Sequence, residues 1–271
     1  MAATVLLAPP FLAAAYVGGP VFLAVAALLT AAAAWEFGRL AIPARLVPRG
    51  LVMLLASASV AIRFVWPGSG PAAVGLTTVA VLAALTIGLA EDEPAGGLRT
   101  AALTLLGALY AGLFSYLVAL RELPRELAGV GYATGFALLA APVVLVWVTD
   151  IAAYAAGRAF GRRKLLPRVS PGKTVAGAVG GTAAAALAAV VLSAWAPTPL
   201  PRLGAPAAAA LGAAVSVVAQ AGDLAESLLK RACGVKDSSA LIPGHGGVLD
   251  RFDSLLFAAP VAYYFFRATL A

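Results

Sequence analysis

The chain has 271 residues, 62% of them hydrophobic and only 11% charged, with a mean hydropathy of +0.95. A soluble domain would be roughly half apolar and about a quarter charged. The composition therefore excludes an ordinary soluble enzyme and describes an all-α, polytopic integral membrane protein. The 19 Lys and Arg against 12 Asp and Glu give a net charge of +7. Without interleaved basic and aromatic residues, that excess reads as loops beside lipid and not as a nucleic-acid surface. One cysteine, Cys233, excludes an internal disulfide and a zinc cluster, and one histidine, His245, cannot build a metal site alone.

Apolar runs bounded by Pro, Gly or charge predict about nine transmembrane helices, near residues 3–17, 20–38, 50–66, 71–90, 100–120, 135–158, 175–195, 205–225 and 254–271. Pro9 and Pro10 interrupt the first run, which has neither a basic start nor a small-residue cleavage site. It reads as a kinked or re-entrant helix in preference to a signal peptide. Residues 1–134 form the N-terminal set of spans and 135–271 the C-terminal, catalytic set, within one continuous membrane domain.

Orientation follows from Lys and Arg. Arg39, Arg45 and Arg49, the stretch from Arg158 to Lys173, and the stretch from Lys230 to Arg251 lie in loops separated by even numbers of crossings. The positive-inside rule puts all three on the cytoplasmic side of a cell membrane. Parity sends Glu91, Asp92 and Glu93 to that side, and Arg121, Glu122, Arg125, Glu126 and Arg202 to the other. The abundant Ala and Gly suit close helix packing in lipid.

Charge is concentrated late in the chain: residues 150–253 hold six of the twelve acids and eleven of the nineteen bases. Asp150, Tyr154, Gly157, Arg158 and Gly161 share one helical face. An acid toward the end of an apolar span is costly unless it meets partners or water. Gly157 and Gly161 read equally well as a small-residue packing motif. Downstream, Ser170, Pro171, Gly172, Lys173 and Thr174 precede a helix, and amides, a hydroxyl and an ammonium at a helix N-terminus bind anions. The nucleotide-binding P-loop requires Gly five positions before Gly172, where Pro167 stands, so an ATPase is rejected. Gln220, Asp223, Ser227 and Lys230 or Arg231 share a second face. A carboxylate with cations two turns on suits a magnesium-bound polyphosphate, and equally a helix-end salt bridge. Asp250 and Asp253 flank Arg251 just before the last span, where either can cap a helix, Asp253 more readily. His245, Gly246 and Gly247 make a turn that lets a ligand approach the backbone closely. Cys233 reads as a packing residue, since no base is paired with it.

These residues resemble a known family. Ser227, Lys230, Arg231, Lys236, Asp237, Ser239, Pro243, His245, Gly246, Gly247, Asp250, Arg251 and Asp253 are similar, in order over 27 positions, to the signature of phosphatidate cytidylyltransferases, the CDP-diacylglycerol synthases. The stretch from Asp150 to Gly177 resembles the upstream motif of that family, with Ala176 departing from the Glu or Gln common there. The two stretches cover about a quarter of the chain. The resemblance implies that CTP and phosphatidic acid are converted to CDP-diacylglycerol and pyrophosphate, with Mg²⁺ required and room for a second, monovalent cation such as K⁺. It implies Asp223 and Asp250 as metal ligands and Lys173 and Lys230 as further catalytic groups. Substrate contacts then fall to Asp150, Tyr154, Ser170, Thr174, Ser227, Arg231, Lys236, Asp237, His245, Gly246, Gly247 and Arg251. The lipid bilayer supplies the setting, and a homodimer is left open. Two alternatives remain. A CTP-dependent kinase of a membrane lipid alcohol would use similar metals but release CDP. A secondary transporter is disfavoured because its charges should lie near mid-membrane, often with internal repeats.

Overall fold

The computed structural model describes residues 2–195, 203–239, 241 and 246–271, with side chains from Ala8 onward. A helix stands at each predicted apolar run: α1 (Ala2–Val17), α2 (Gly19–Ala41), α3 (Leu46–Val65), α4 (Gly70–Gly88), α7 (Thr134–Phe160), α8 (Val175–Trp195), α9 (Ala205–Ala232) and α10 (Leu249–Leu270), with the fifth run divided into α5 (Pro94–Gly112) and α6 (Ser115–Glu122). Between α7 and α8 the chain forms an antiparallel hairpin, β1 (Lys164–Leu166) with β2 (Ser170–Thr174).

Seven of these segments are long and apolar enough to cross a membrane: α2, α3, α4, the α5–α6 stretch Pro94–Arg125, α7, α8 and α9. In α1 the described apolar part is only Ala8–Val17. In α10 the hydrophobic run is diluted by Asp250, Arg251, Asp253 and Arg267. Length and apolarity thus support a multi-pass membrane protein in which seven helices among the described residues qualify as spans, and the count of nine rests on the sequence runs alone.

Local chemistry sets the boundaries. Gly18 and Gly19 take positive φ values of 73° and 55°, which opens the turn between α1 and α2, and Pro20 then starts α2. Ser69 caps α4 by accepting from the Ala72 amide at 3.2 Å.

The chain forms two compact units, Met1–Glu122 with Cys233–Arg251, and Leu123–Ala232 with Phe252–Ala271. In the first, Phe22, Phe37, Val52, Phe114 and Leu117 are buried among α2, α3, α5 and α6. At one of its ends Arg121, 2% exposed, donates through Nε to the Ala15 carbonyl at 2.6 Å, and Glu122 accepts from the Gly19 amide at 3.2 Å. At its other end Arg45 pairs with Glu91, and Glu36 on α2 meets the segment after Ser238. Loops that parity assigns to one face therefore meet at one end of this unit. In the second unit α8 packs against both α7 and α9. Small residues make the contact: a Cβ on Gly181 would lie 2.9 Å from the Thr149 carbonyl, and one on Gly177 2.7 Å from that of Ala153. In lipid such close packing, not exclusion from water, holds helices together.

Candidate active site

The second unit carries a cavity of about 520 Å³, within the usual range for small-molecule sites. Its walls come from the last turns of α7 (Asp150, Tyr154, Gly157, Arg158), the hairpin (Lys164, Gly172, Lys173, Thr174) and α9 (Gln220, Asp223). The first face read from helical spacing thus opens on one space with Gln220 and Asp223 of the second, joined by the hairpin, whereas Ser227, Lys230 and Arg231 do not line it.

Its central contact is an ion pair. Lys173 Nζ lies 2.6 Å from Asp223 Oδ2, with the two side chains 26% and 33% exposed. Ser227, one turn on, donates to Asp223 Oδ1 at 3.4 Å. Asp150 and Asp253 lie within electrostatic reach of both Asp223 and Lys173. Among the described residues no three acidic, His or Cys side chains come together as a metal cluster, so a cation here would draw on Asp223 and Asp150, with substrate and water completing its shell. Gln220 donates to Thr182 Oγ1 at 3.2 Å and Ser216 Oγ at 3.1 Å, tying α9 to α8 beneath the cavity.

The hairpin revises one local expectation. Ser170 to Thr174 do precede a helix, as expected, but as the strand β2, which runs straight into α8. The Thr174 hydroxyl is the cap, accepting from the Gly177 amide at 3.1 Å. A Cβ on Gly157 would lie 2.9 Å from that hydroxyl, so Gly157 is small because α7 and α8 touch there, as the packing reading expects. Arg158 donates to the Tyr154 hydroxyl at 3.3 Å, and that exposed ring faces the cavity.

At the end of α9, Lys230 pairs with Glu226 of its own helix, one turn back and 1% exposed. Arg231, Lys236, Asp237 and Arg251 are exposed. Burial pushes the Cys233 thiol above its ordinary range, so it stays protonated and suits a packing role. His245 and Pro243 lie outside the described residues.

The first unit holds the segment that carries the strongest resemblance. Asp250 Oδ2 accepts from the amides of Ser238 and Gly247, both at 2.8 Å, and from the Ser238 hydroxyl at 2.7 Å. Gly246 has φ 77°, and a Cβ there would lie 2.5 Å from Asp250 Oδ2. A Cβ on Gly247 would collide with Ser238 and with Glu36. The close approach these glycines permit is therefore to two carboxylates of the chain itself. Asp253 does not cap α10, which begins four residues earlier at Leu249; the extra turn forms because Glu36 receives the amides that open the helix. Glu36 escaped notice in the sequence. Its signal was present, a lone acid within an apolar run, but its partners lie some two hundred positions away.

Residues 1–269 match the cytidylyltransferase family. The chain belongs to that family. Among its curated relatives are the phosphatidate cytidylyltransferases of Bacillus subtilis, 40% identical over 160 residues (59% of this chain and 55% of the relative), and of Brucella suis, 50% identical over 131 residues (48% and 47%). The Haemophilus influenzae protein of the same name is 47% identical over 133 residues, 49% of this chain and 46% of its own. The chain spans about half the length of the curated relatives it matches. In this member of the family, the cavity is edged by carboxylates, a lysine and hydroxyls.

Proposed function

We propose that the protein transfers CMP from CTP to phosphatidic acid, giving CDP-diacylglycerol and pyrophosphate. The observation that carries this reading is the Lys173–Asp223 pair, set with Asp150 in one cavity at the ends of apolar helices. A monoester oxygen of phosphatidate attacks the α-phosphorus of CTP. A new P–O bond forms while the bond to the bridging oxygen breaks, and its electron pair leaves with pyrophosphate. The nucleophile is already anionic, so no covalent enzyme intermediate is needed; the protein must bring two polyanions together and stabilise the charge that develops.

The chain's own residues divide that work. Lys173 neutralises phosphate oxygens once substrate competes for its contact with Asp223. Gly172, beside it on β2, leaves room for phosphate against the backbone, and Tyr154 offers an exposed ring and hydroxyl to the nucleotide. Asp223 and Asp150 offer hard oxygen donors on one cavity, few enough to leave the remaining positions to substrate and water, which is the habit of Mg²⁺. When bound, Mg²⁺ would supply neutralisation of the triphosphate. Asp250, which the resemblance implies as a ligand, keeps that role in the proposal, and K⁺ is the monovalent ion to test beside it. The lipid enters from the bilayer with its head group at the cytoplasmic face of the cell membrane, where CTP is available.

Product analysis tests the reading. Purified protein in detergent, given α-labelled CTP, phosphatidate and Mg²⁺, should yield labelled CDP-lipid with pyrophosphate, and chelation should abolish turnover. Labelled free CDP with a phosphorylated lipid would establish the kinase alternative; no turnover would remove both.

A further inference from the structure

Glu36 is fully buried on an apolar helix, where an ionised carboxylate is costly unless donors surround it. It has four. Oε1 accepts from the Ser239 hydroxyl at 2.7 Å and the Val248 amide at 2.8 Å; Oε2 accepts from the Leu249 amide at 2.9 Å and lies 3.0 Å from the Ser238 hydroxyl. The two amides belong to the first turn of α10, where an anion is favoured by unpaired N–H groups and by the helix dipole. Glu36 thus caps a helix more than two hundred residues away in sequence.

The same carboxylate grips both ends of one segment. Ser238 and Ser239 lie at its entrance, Val248 and Leu249 at its exit. The single proton of the Ser238 hydroxyl lies between two acids, Glu36 and Asp250, so the position of one is coupled to the other. Immediately outside the grip stand Lys236 and Asp237 before it, and Asp250 and Arg251 after it. From this geometry we infer that Glu36 is a positioning residue: it clasps the segment so that Lys236, Asp237, Asp250 and Arg251 are presented to the phosphates of the substrates. The inference rests on the proposed function for its substrates, and on the hydrogen bonds for its mechanism.

Glutamine has the shape of Glu36 but replaces one acceptor oxygen with a donor, which would face an amide or hydroxyl that also donates. Glu36→Gln should therefore open the clasp. The experiment combines hydrogen exchange at the Ser238, Val248 and Leu249 amides with steady-state kinetics for CTP and phosphatidate in detergent. Glu36→Gln should lose protection at Val248 and Leu249 while α3 and α5 stay protected, and should raise the KM of at least one substrate about tenfold. A merely structural role would lower the folded fraction, and with it kcat, leaving KM unmoved. Ser238→Ala, a milder change that uncouples the two acids, should raise the same KM about threefold and decides the matter if Glu36→Gln does not fold. Folded variants with both KM values within about twofold of wild type would overturn the inference. Wild-type protein that turns over no CTP with phosphatidate would instead defeat the proposed function, and the amide protection would still judge whether Glu36 holds the segment.

Discussion

Glu36 in the first unit and Asp223 in the second are both acids on long apolar helices, yet they are satisfied in opposite ways. Glu36 is sealed from solvent and saturated by backbone amides and serine hydroxyls, none of which carries a charge. Asp223 is a third exposed, held by a lysine and one long hydroxyl contact, with other acids nearby. A carboxylate of the first kind holds backbone in place and is expensive to disturb. One of the second kind has an exchangeable partner, and a phosphate or a cation can take over its contacts. The comparison separates acids that shape this protein from acids that are available to its chemistry.

The sharpest way to break that comparison is Asp223→Asn, which keeps shape and removes charge. Activity should fall about a hundredfold or more, at or beyond the upper end of the ~10- to 100-fold cost of losing an outer partner of a metal ligand. Thermal stability in detergent should be nearly unchanged, because a partly exposed ion pair contributes at most about 1 kcal/mol. Retained activity would move Asp223 to the structural class.

Asp250 is the intermediate case, since its Oδ2 already holds the amides of Ser238 and Gly247. In Asp250→Asn the amide oxygen can occupy that position and keep the backbone donors satisfied, so a loss of activity reports charge. We expect a loss of about a hundredfold across a magnesium titration, with the Ser238 amide still protected from exchange. Near wild-type turnover would make Asp250 a holder of the Ser238 and Gly247 amides and leave the metal to the second unit.

Lys173→Ala should follow, costing ~1.5–3 kcal/mol of transition-state stabilisation, or roughly 10- to 150-fold in kcat/KM, if a charge-assisted contact to phosphate is lost. Arg163 is the control. Its carbonyl accepts from the Val175 amide at 2.9 Å and anchors the hairpin, while its side chain is exposed, so Arg163→Ala should change activity little. Equal, small effects at both positions would favour a loop that merely anchors at the membrane surface.

What could be read from sequence divides along physical lines. Apolar run length placed a helix at each predicted run, though it did not divide α5 from α6, because a spanning segment must satisfy its own backbone and little else competes. Helical spacing grouped Asp150 with Tyr154, and Gln220 with Asp223, because both faces are local. The β2 hairpin was hidden, since Ser, Pro, Gly, Lys and Thr are as much at home in a loop as in a short exposed strand. The cap on α10 was hidden for a different reason: it comes from Glu36, and no spacing rule links positions so distant. A local capping rule therefore pointed to Asp253, which sits inside the helix. Lys230 was ambiguous between phosphate and helix-end salt bridge, and its contact with Glu226 shows that the second demand is met in this structure.

The smallest effect on activity is expected at Thr174, which borders the cavity but whose hydroxyl is spent on the Gly177 amide. If capping is its role, Thr174→Ala should lower stability by ~0.5–2 kcal/mol, the cost of losing a hydroxyl cap, and Thr174→Ser should restore it. Both KM values should stay within about twofold of wild type, because an interaction unchanged between free and bound enzyme does not enter KM. If the hydroxyl instead binds phosphate, as the resemblance implies, Thr174→Ala should raise the KM of one substrate while Thr174→Ser does not. The side chain is 7% exposed and wedged where Gly157, Gly161 and Gly177 leave no space for a Cβ, so it has little freedom to turn toward a ligand without giving up the cap. A raised KM in Thr174→Ala with unchanged melting would show that the hydroxyl exchanges partners, and the boundary between shaping and reacting groups would then run through α8 itself.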